Sequence, residues 1–373
     1  MQRILVTGGL GFIGSHTVDE LVKHGYSVTV LDNLDTQVHR GKPMVYKNEQ
    51  ADYVIGDIRH RKSWLKALSD VEGIIHLAAA VGTAQSFWQS KKYMDVNVSG
   101  TSLLYEILTN EAKLREKIEK IVVASSKSIY GEGAYICERD GEQYPDIRPI
   151  EQLKRGEWEL KCPVCGRIMK PTAVGESKPS QTPNPYSLSK FATEQMAMDY
   201  SRTLDIDAVA FRYFNVYGEK QSLSNPYTGV IAIFMSRLKN GNPPFLFEDG
   251  KQMRDYVYVK DVAKLNVSAL KRGRGVYNVG TGRPTSLLDI VKYLNRKMGK
   301  DISPIISNDF RPGDNRHDFA DNRRLYRDFD VRDFVELKDG ISLLASWSET
   351  QEAVDLFEIE ERERRKYLSG QRR

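Results

Sequence analysis

Apolar positions along the first half of the chain alternate between two rhythms. Short continuous apolar runs read as buried strands, and stretches with apolar residues at three- and four-residue spacing read as helices. Gln2–Val6 is the first run, and Ile13, Val18, Leu21 and Val22 then recur at helical spacing. Strands follow at Tyr26–Leu31, Asp52–Ile55, Val71–Leu77, Lys120–Ala124 and Asp207–Tyr213. Helices fall between them at Lys62–Leu68, at Tyr93–Leu108, which carries Asn97, Gly100 and Thr101, and at Phe191–Leu204. Further on, Thr228–Leu238 reads as a helix and Pro244–Phe247 as a short strand. Strands alternating with helices predict an α/β fold, a doubly wound parallel sheet.

Composition narrows the class without naming the chemistry. The 373 residues are 40% hydrophobic and 28% charged, as in a globular chain with a sizeable core. A net charge of +5 is too mild to imply nucleic acid and suits small phosphate-bearing ligands. No apolar run reaches the length of a membrane span, and the N-terminus enters the first strand without a signal peptide. Three cysteines make no disulfide framework. The expectation is a cytoplasmic protein with no membrane and no nucleic-acid partner.

The first strand runs into Gly8, Gly11 and Gly14 and then into a helix, the order that dinucleotide binding requires. Gly8 permits a tight turn, Gly11 removes a Cβ that would block a pyrophosphate, and Gly14 lets the helix pack closely. The helix N-terminus offers free N–H groups and a positive dipole end. Asp32 ends the second strand, placed to bind the adenosine ribose and to repel a 2′-phosphate, which favours NAD over NADP. Ala78, Ala79 and Ala80 end a later strand and let a cofactor ring approach. Ser125, Ser126 and Ser128 put hydroxyls at the carboxyl edge of the strand Lys120–Ala124. Tyr186 and Lys190 stand four apart on one helix face. A free tyrosine titrates near 10. A neighbouring ammonium and a bound nicotinamide would stabilise its phenolate and make Tyr186 a proton acceptor, with Ser126 on the same substrate oxygen.

With these residues in view, the chain resembles the extended short-chain dehydrogenase/reductase family, its nucleotide-sugar epimerases and dehydratases in particular. The resemblance spans nearly the whole chain and rests on TGGLGFIG (7–14), LDNL (31–34), GDIR (56–59), HLAA (76–79), NVSGT (97–101), SSKSIYG (125–131), YSLSK (186–190), RYFNVYG (212–218), RDYVYVKDVA (254–263), YNVGTG (277–282) and RPGD (311–314). It implies a Rossmann-type sheet with a smaller C-terminal α/β domain for the substrate. NAD would be bound by residues 1–214 and 256–282, and the nucleotide sugar by 215–255 and 283–373. It implies catalytic roles for Ser126, Tyr186 and Lys190. NAD contacts would come from Gly8, Gly11, Phe12, Ile13, Gly14, Asp32, Asn33, Asp57, Ile58, Leu77, Ala78, Ala79, Asn97, Tyr186 and Lys190. Substrate contacts would come from Ser126, Ser128, Asn215, Phe247, Arg254, Arg311 and Asp314, the two arginines clamping a diphosphate. Phe245 or Phe247 would flank the base, and Asp318 takes a position that limits sugar size and would disfavour a uronate. A homodimer is implied, built on the helices around Asp95–Leu108 and Tyr186.

Dehydratases of this kind carry an Asp-Glu pair just after the catalytic hydroxyl, where this chain has Lys127-Ser128. Epimerisation needs only one base, one hydride acceptor and room for a transient 4-keto sugar to turn over. The reading is therefore NAD-dependent epimerisation at C4 of a nucleotide-diphosphate sugar, with dehydratase, decarboxylase or reductase as alternatives.

Residues 132–182 form an insertion that holds Cys137, Cys162 and Cys165. Cys162-Pro163-Val164-Cys165-Gly166 has the shape of a zinc knuckle, and Cys137 with Asp140 repeats a two-residue gap. Structural zinc on Cys137, Asp140, Cys162 and Cys165 is one reading; ordinary loop thiols and a redox pair are the others. The Cys-Pro-x-Cys-Gly feature is similar to insertions in epimerases of deoxysugars such as dTDP-L-rhamnose, which tilts the sugar that way. Glu349–Arg373 is dominated by charge and reads as a solvated terminal helix with a frayed tail.

Overall fold

A computed structural model of the chain describes residues 2–39, 46–331 and 333–370, the last four as backbone. Met1 and residues 371–373, end points of two expectations above, lie outside the described residues. Seven strands form one parallel sheet in the spatial order Gly275–Val279, Asp207–Tyr213, Lys120–Ser126, Gly73–His76, Arg3–Thr7, Ser27–Asp32, Ala51–Ile55. Burial is near-continuous along the central strands, as a sheet covered on both faces demands. One apolar layer contains Val6, Val30, Val122, Phe211 and Val257. Leu5, Leu31, Trp64, Leu104, Val123 and Ala210 form the layer on the other face.

The chain runs outward from Arg3–Thr7 through two strands, then crosses back to Gly73–His76 on the other side. That reversal opens a crevice beyond the carboxyl ends of these two strands. Thr7 faces His76 in the register, and its hydroxyl accepts the N–H groups of Leu77 and Ala78 at 3.1 Å each. The strand end at Ala78 is thereby tied beside the glycine turn.

A second core lies beyond the sheet. Helices Val230–Lys239, Leu287–Met298 and Leu337–Glu349 pack around Tyr217, Leu246, Tyr256 and Tyr258. Among the described residues no helix is long and apolar enough to cross a membrane. The insertion builds its own three-stranded antiparallel sheet from Ala134–Cys137, Gly141–Gln143 and Lys170–Thr172.

Two elements differ from the sequence reading. The helix expected over Tyr93–Leu108 is broken: Ser90–Tyr93 and Gly100–Asn110 are α-helical, and Met94–Ser99 between them is a π-helical turn. Asn97 sits in that wide turn. Its side chain accepts from Ala80 N at 2.7 Å and donates to Ala80 O and Ser189 Oγ, which compensates the altered ladder. The terminal helix Phe357–Gly370 is docked rather than solvated, with Phe357, Glu360, Glu361 and Arg364 all buried. Those positions run i, i+3, i+4, i+7, so the buried face is real but is made mostly of charged residues.

Candidate active site

The crevice is a cavity of about 480 Å³, within the usual size of ligand sites. Gly8, Gly11, Phe12, Ile13, Gly14, Asp32, Asn33, Ile58, Leu77, Ala78 and Ala79 line one end. The helix Phe12–Lys23 opens on Gly11 with no acidic residue in its first turn, so its positive end stays uncompensated. The glycines are needed sterically. A Cβ on Gly14 would lie 2.0 Å from the Gly8 carbonyl oxygen. Gly8 itself has φ of +68°, and a Cβ there would stand 2.9 Å from Ala78. Gly14 therefore serves the compactness of the turn itself, more than the helix-to-strand packing expected of it. Gly9 is equally tight, since a Cβ would meet Val30 at 2.7 Å. Asp32 is held by the N–H groups of Leu10 at 3.0 Å and Leu34 at 2.9 Å, with its carboxylate on the cavity wall. A phosphate-sized cradle with an anchored carboxylate beyond it fits a dinucleotide with free ribose hydroxyls.

Two residues expected against NAD are not among those that line the cavity. Asp57 is turned toward Arg59, whose guanidinium holds its carboxyl well below the usual range, and it accepts from Asn33 at 3.2 Å. Asn97 spends its amide on Ala80 and Ser189, so it shapes the strand end without lining the cavity.

Ser126, Ser128, Tyr186 and Lys190 meet at the other end of the cavity. The helix carrying the last two, Pro185–Leu204, starts with proline in its first turn and a capping box in which Asn184 and Ser187 exchange hydrogen bonds. That start fixes the Tyr186 backbone where the strand Lys120–Ser126 ends. Ser126 Oγ accepts from Ser128 N at 3.1 Å and Ser128 Oγ at 2.9 Å. Both bonds arrive at the Ser126 oxygen, so its own proton is available to Tyr186. Burial pushes the Tyr186 phenol up, and the Ser126 hydroxyl pulls against it. The Lys190 ammonium donates to Ala124 O at 2.8 Å, and burial pushes it down to about 8. The expected tuning invoked Lys190 together with a bound nicotinamide, and the polypeptide alone does not depress Tyr186. The reason is that desolvation acts on both groups and the lysine is directed to a backbone carbonyl.

The expected substrate residues divide. Asn215 lines the cavity and donates to Asp255 O at 3.0 Å. Arg254, Phe247, Arg311 and Asp314 do not line it. Arg254 is buried and donates to the Arg316 and Asn315 carbonyls at 2.9 and 2.8 Å, with Asp314 at 3.5 Å. Arg311 stacks on the Phe247 ring at 4.2 Å and pairs with Glu360 of the terminal helix at 3.0 Å, while Arg364 covers the ring at 5.0 Å. Phe245 meets Phe247 edge-on, 5.1 Å between centroids. Lys127, on the cavity wall, links the two groups by pairing with Asp318 at 2.6 Å, and Arg254 reaches the same carboxylate at 3.7 Å. Burial pushes Asp318 up, but these two cations outweigh it and hold the group below the usual carboxylate range. Cys137, Asp140, Cys162 and Cys165 are brought together, their candidate ligand atoms within 4.8 Å of one another.

Gln221, Ser222, Asn225, Tyr227 and Thr228 also line the cavity and were missed by the reading of the sequence. The polar run from Gln221 to Thr228, punctuated by Pro226, was the available signal of a binding loop.

Residues 4–152 and 167–280 match the NAD dependent epimerase/dehydratase family. A dTDP-L-rhamnose 4-epimerase of Burkholderia thailandensis is 33% identical over 353 residues, covering 93% of this chain and 94% of that protein. The crystal structure of a UDP-glucose 4-epimerase from Thermotoga maritima with UDP-glucose superposes with a TM-score of 0.75 at 28% identity, over 93% of this chain and 99% of that one. The UDP-glucose 4-epimerase of Thermus thermophilus in complex with NAD gives 0.73 at 28% identity, over 94% and 100%.

Proposed function

The chain belongs to the NAD dependent epimerase/dehydratase family, and we infer that it is an isomerase, an NAD-dependent nucleotide-sugar 4-epimerase. The observation that carries the reading is the meeting of Ser126, Tyr186 and Lys190 in the cavity whose other end is the glycine cradle and Asp32. Bound in that cradle, NAD supplies a nicotinamide that takes up and returns an electron pair at C4 and whose positive charge favours a nearby phenolate. The rest falls to side chains. Tyr186 accepts the proton of the sugar 4-hydroxyl, and Ser126 holds that same oxygen in reach of it. Lys190, fixed on Ala124 O, would help hold the cofactor and add positive charge on its side of the cavity. Lys127 and Ser128 occupy the places where elimination of water needs an acid pair, and the nearby Asp318 is engaged by two cations. Reduced access to acid chemistry favours epimerisation over dehydration.

Resemblance and the 33% identical relative make a deoxysugar such as dTDP-L-rhamnose the first substrate to try. Asn215 serves the diphosphate side from the cavity wall. Arg254, Arg311, Asp314 and Phe247 serve the nucleotide if Arg311 exchanges Glu360 for phosphate. Residues 1–214 with 256–282 form the cofactor domain, and 215–255 with 283–373 the sugar domain. A cytoplasmic homodimer completes the reading. Its support is the helix pair Gly100–Asn110 and Pro185–Leu204, joined by stacked Tyr105 and Tyr200 at 4.6 Å and presenting a half-exposed Leu188.

The test is a panel of UDP-, dTDP-, GDP- and CDP-sugars resolved by NMR and mass. The expected product is an isomer of unchanged mass. Tyr186→Phe is expected to lower turnover by roughly 10²–10⁴-fold with its NAD content intact. A product lacking one water, or a variant as active as the parent protein, would overturn the reading.

A further inference from the structure

The insertion carries a cluster that the reaction does not use. Its strands Ala134–Cys137 and Gly141–Gln143 are joined by a tight turn in which Cys137 pairs with Gly141, and the turn swings Asp140 back over the Cys137 sulfur at 3.4 Å. A second hairpin runs from Lys161 to Ile168. Cys162 N donates to Arg167 O at 2.7 Å, Gly166 N donates to Cys162 O at 2.9 Å, and Gly166 takes φ of +74°. That closure turns both Cys162 and Cys165 inward. Cys162 Sγ lies 3.2 Å from Asp140 Oδ2, and Cys165 Sγ lies 3.5 Å from Cys137 Sγ. Cys137 and Cys162 are buried, and the cysteines are free thiols.

We propose that Cys137, Asp140, Cys162 and Cys165 bind one structural zinc ion that closes the insertion. A tetrahedral zinc with sulfur at about 2.3 Å and oxygen at about 2.0 Å sets neighbouring ligand atoms roughly 3.5–3.8 Å apart. The observed 3.2–3.5 Å contacts lie just inside those edges. Three thiolates and one carboxylate leave no open position, which marks a structural rather than a catalytic site. Sulfur-rich tetrahedral sets select zinc over the hard cations magnesium and calcium. A carboxylate aimed at three thiols contributes little as packing, because the surrounding core is only Tyr135, Leu160 and Met169. An ion would supply the cross-link that so small a core lacks. The match to the family skips residues 153–166, the stretch that brings Cys162 and Cys165.

The closed insertion acts as a strut against the sugar side. Arg148 grips Glu248 through two bonds of 2.9 and 2.8 Å, and Glu159 accepts from Arg316 and His317. Glu132 accepts from the Arg316 and His317 backbone N–H groups. These bonds fix the segment that leads from Asp314 to Asp318. Metal in the insertion therefore sets the wall beside Lys127.

Metal analysis of freshly purified full-length protein, grown with zinc supplied, is expected to give about one equivalent per chain. Cobalt(II) exchanged into the site is expected to show thiolate-to-metal charge-transfer absorption. Cys165→Ser is expected to lose both signals, and Val164→Ala, in the same turn, to keep them. Chelation is expected to open protease cleavage within 132–182. Less than about a tenth of an equivalent of zinc in the parent protein would overturn the proposal. So would iron in its place, or cobalt uptake without charge transfer. These readings stand whether or not Cys165→Ser folds.

Discussion

His76 is buried with both ring nitrogens partnered. It lies in the strand that borders the crevice, with Nδ1 at 2.7 Å from Thr7 Oγ1 and Nε2 at 2.9 Å from Thr101 Oγ1. Thr101 gives its own proton to Asn97 O at 2.6 Å, so it accepts from Nε2–H, and Nδ1 accepts from Thr7. Burial, and then the Lys190 charge, push the imidazole down to about 3 from an ordinary 6.5. Between those values the unfolded chain binds a proton that the folded chain refuses. Stability is complete above about 6.5 and falls as pH drops toward 3, by about 1.4 kcal/mol per unit. Denaturant midpoints from pH 7 to pH 4 are expected to fall less steeply in His76→Gln than in the parent protein. Parallel slopes would contradict the assignment. The same burial that silences His76 raises Tyr186, so a phenolate there would require positive charge from a bound cofactor.

Among elements, the turn from Thr7 to Gly14 tolerates least. Gly14→Ala places a Cβ 2.0 Å from the Gly8 carbonyl, a backbone atom that cannot swing aside. Purified Gly14→Ala is expected to retain no NAD and to unfold more readily by roughly 1–3 kcal/mol. Retention of stoichiometric NAD would show that the cradle is looser than described. This turn was legible in the sequence because three glycines at set spacing stand between an apolar run and a helical pattern. The central strands were legible because they are buried on both faces and read as apolar runs, whereas the edge strand Gly275–Val279, GVYNV, carries no such run and was not read as one. The π-helical turn at Met94–Ser99 was not, since it exists to let Asn97 reach Ala80 and Ser189, a tertiary requirement. The terminal helix was misread for a related reason. Its buried positions Glu360, Glu361 and Arg364 are satisfied by Arg311 and by one another, and no pattern of apolar residues announces them. Serine, tyrosine and lysine at the crevice were found from their spacing. The loop from Gln221 to Thr228 has only composition to offer, and its place in the wall is set by packing.

At the largest scale, the insertion meets the sugar side at Glu248. Glu248 is about 1% exposed and accepts from Arg148 of the insertion at 2.9 and 2.8 Å and from Arg316 at 2.9 Å. Removing one partner from such a network leaves buried charge uncompensated, at a cost of about 3–5 kcal/mol. Glu248→Gln is expected to lower stability by that order and to expose the insertion to protease before the central sheet unfolds. A fully cooperative loss of both would mean that the insertion docks by other contacts. Lys127 on the crevice wall pairs with Asp318, which follows the Arg316–His317 segment held by Glu132 and Glu159 of the insertion.

On the epimerase reading, Tyr186 and Ser126 work at C4 while the same C4 hydrogen leaves and returns within one closed site. A nucleotide sugar deuterated at C4, turned over in ordinary water and read by NMR, tests it most directly. The expected product is the C4 epimer with its deuterium retained and its mass unchanged. Deuterium lost to solvent, or a product that has shed water, would contradict that reading.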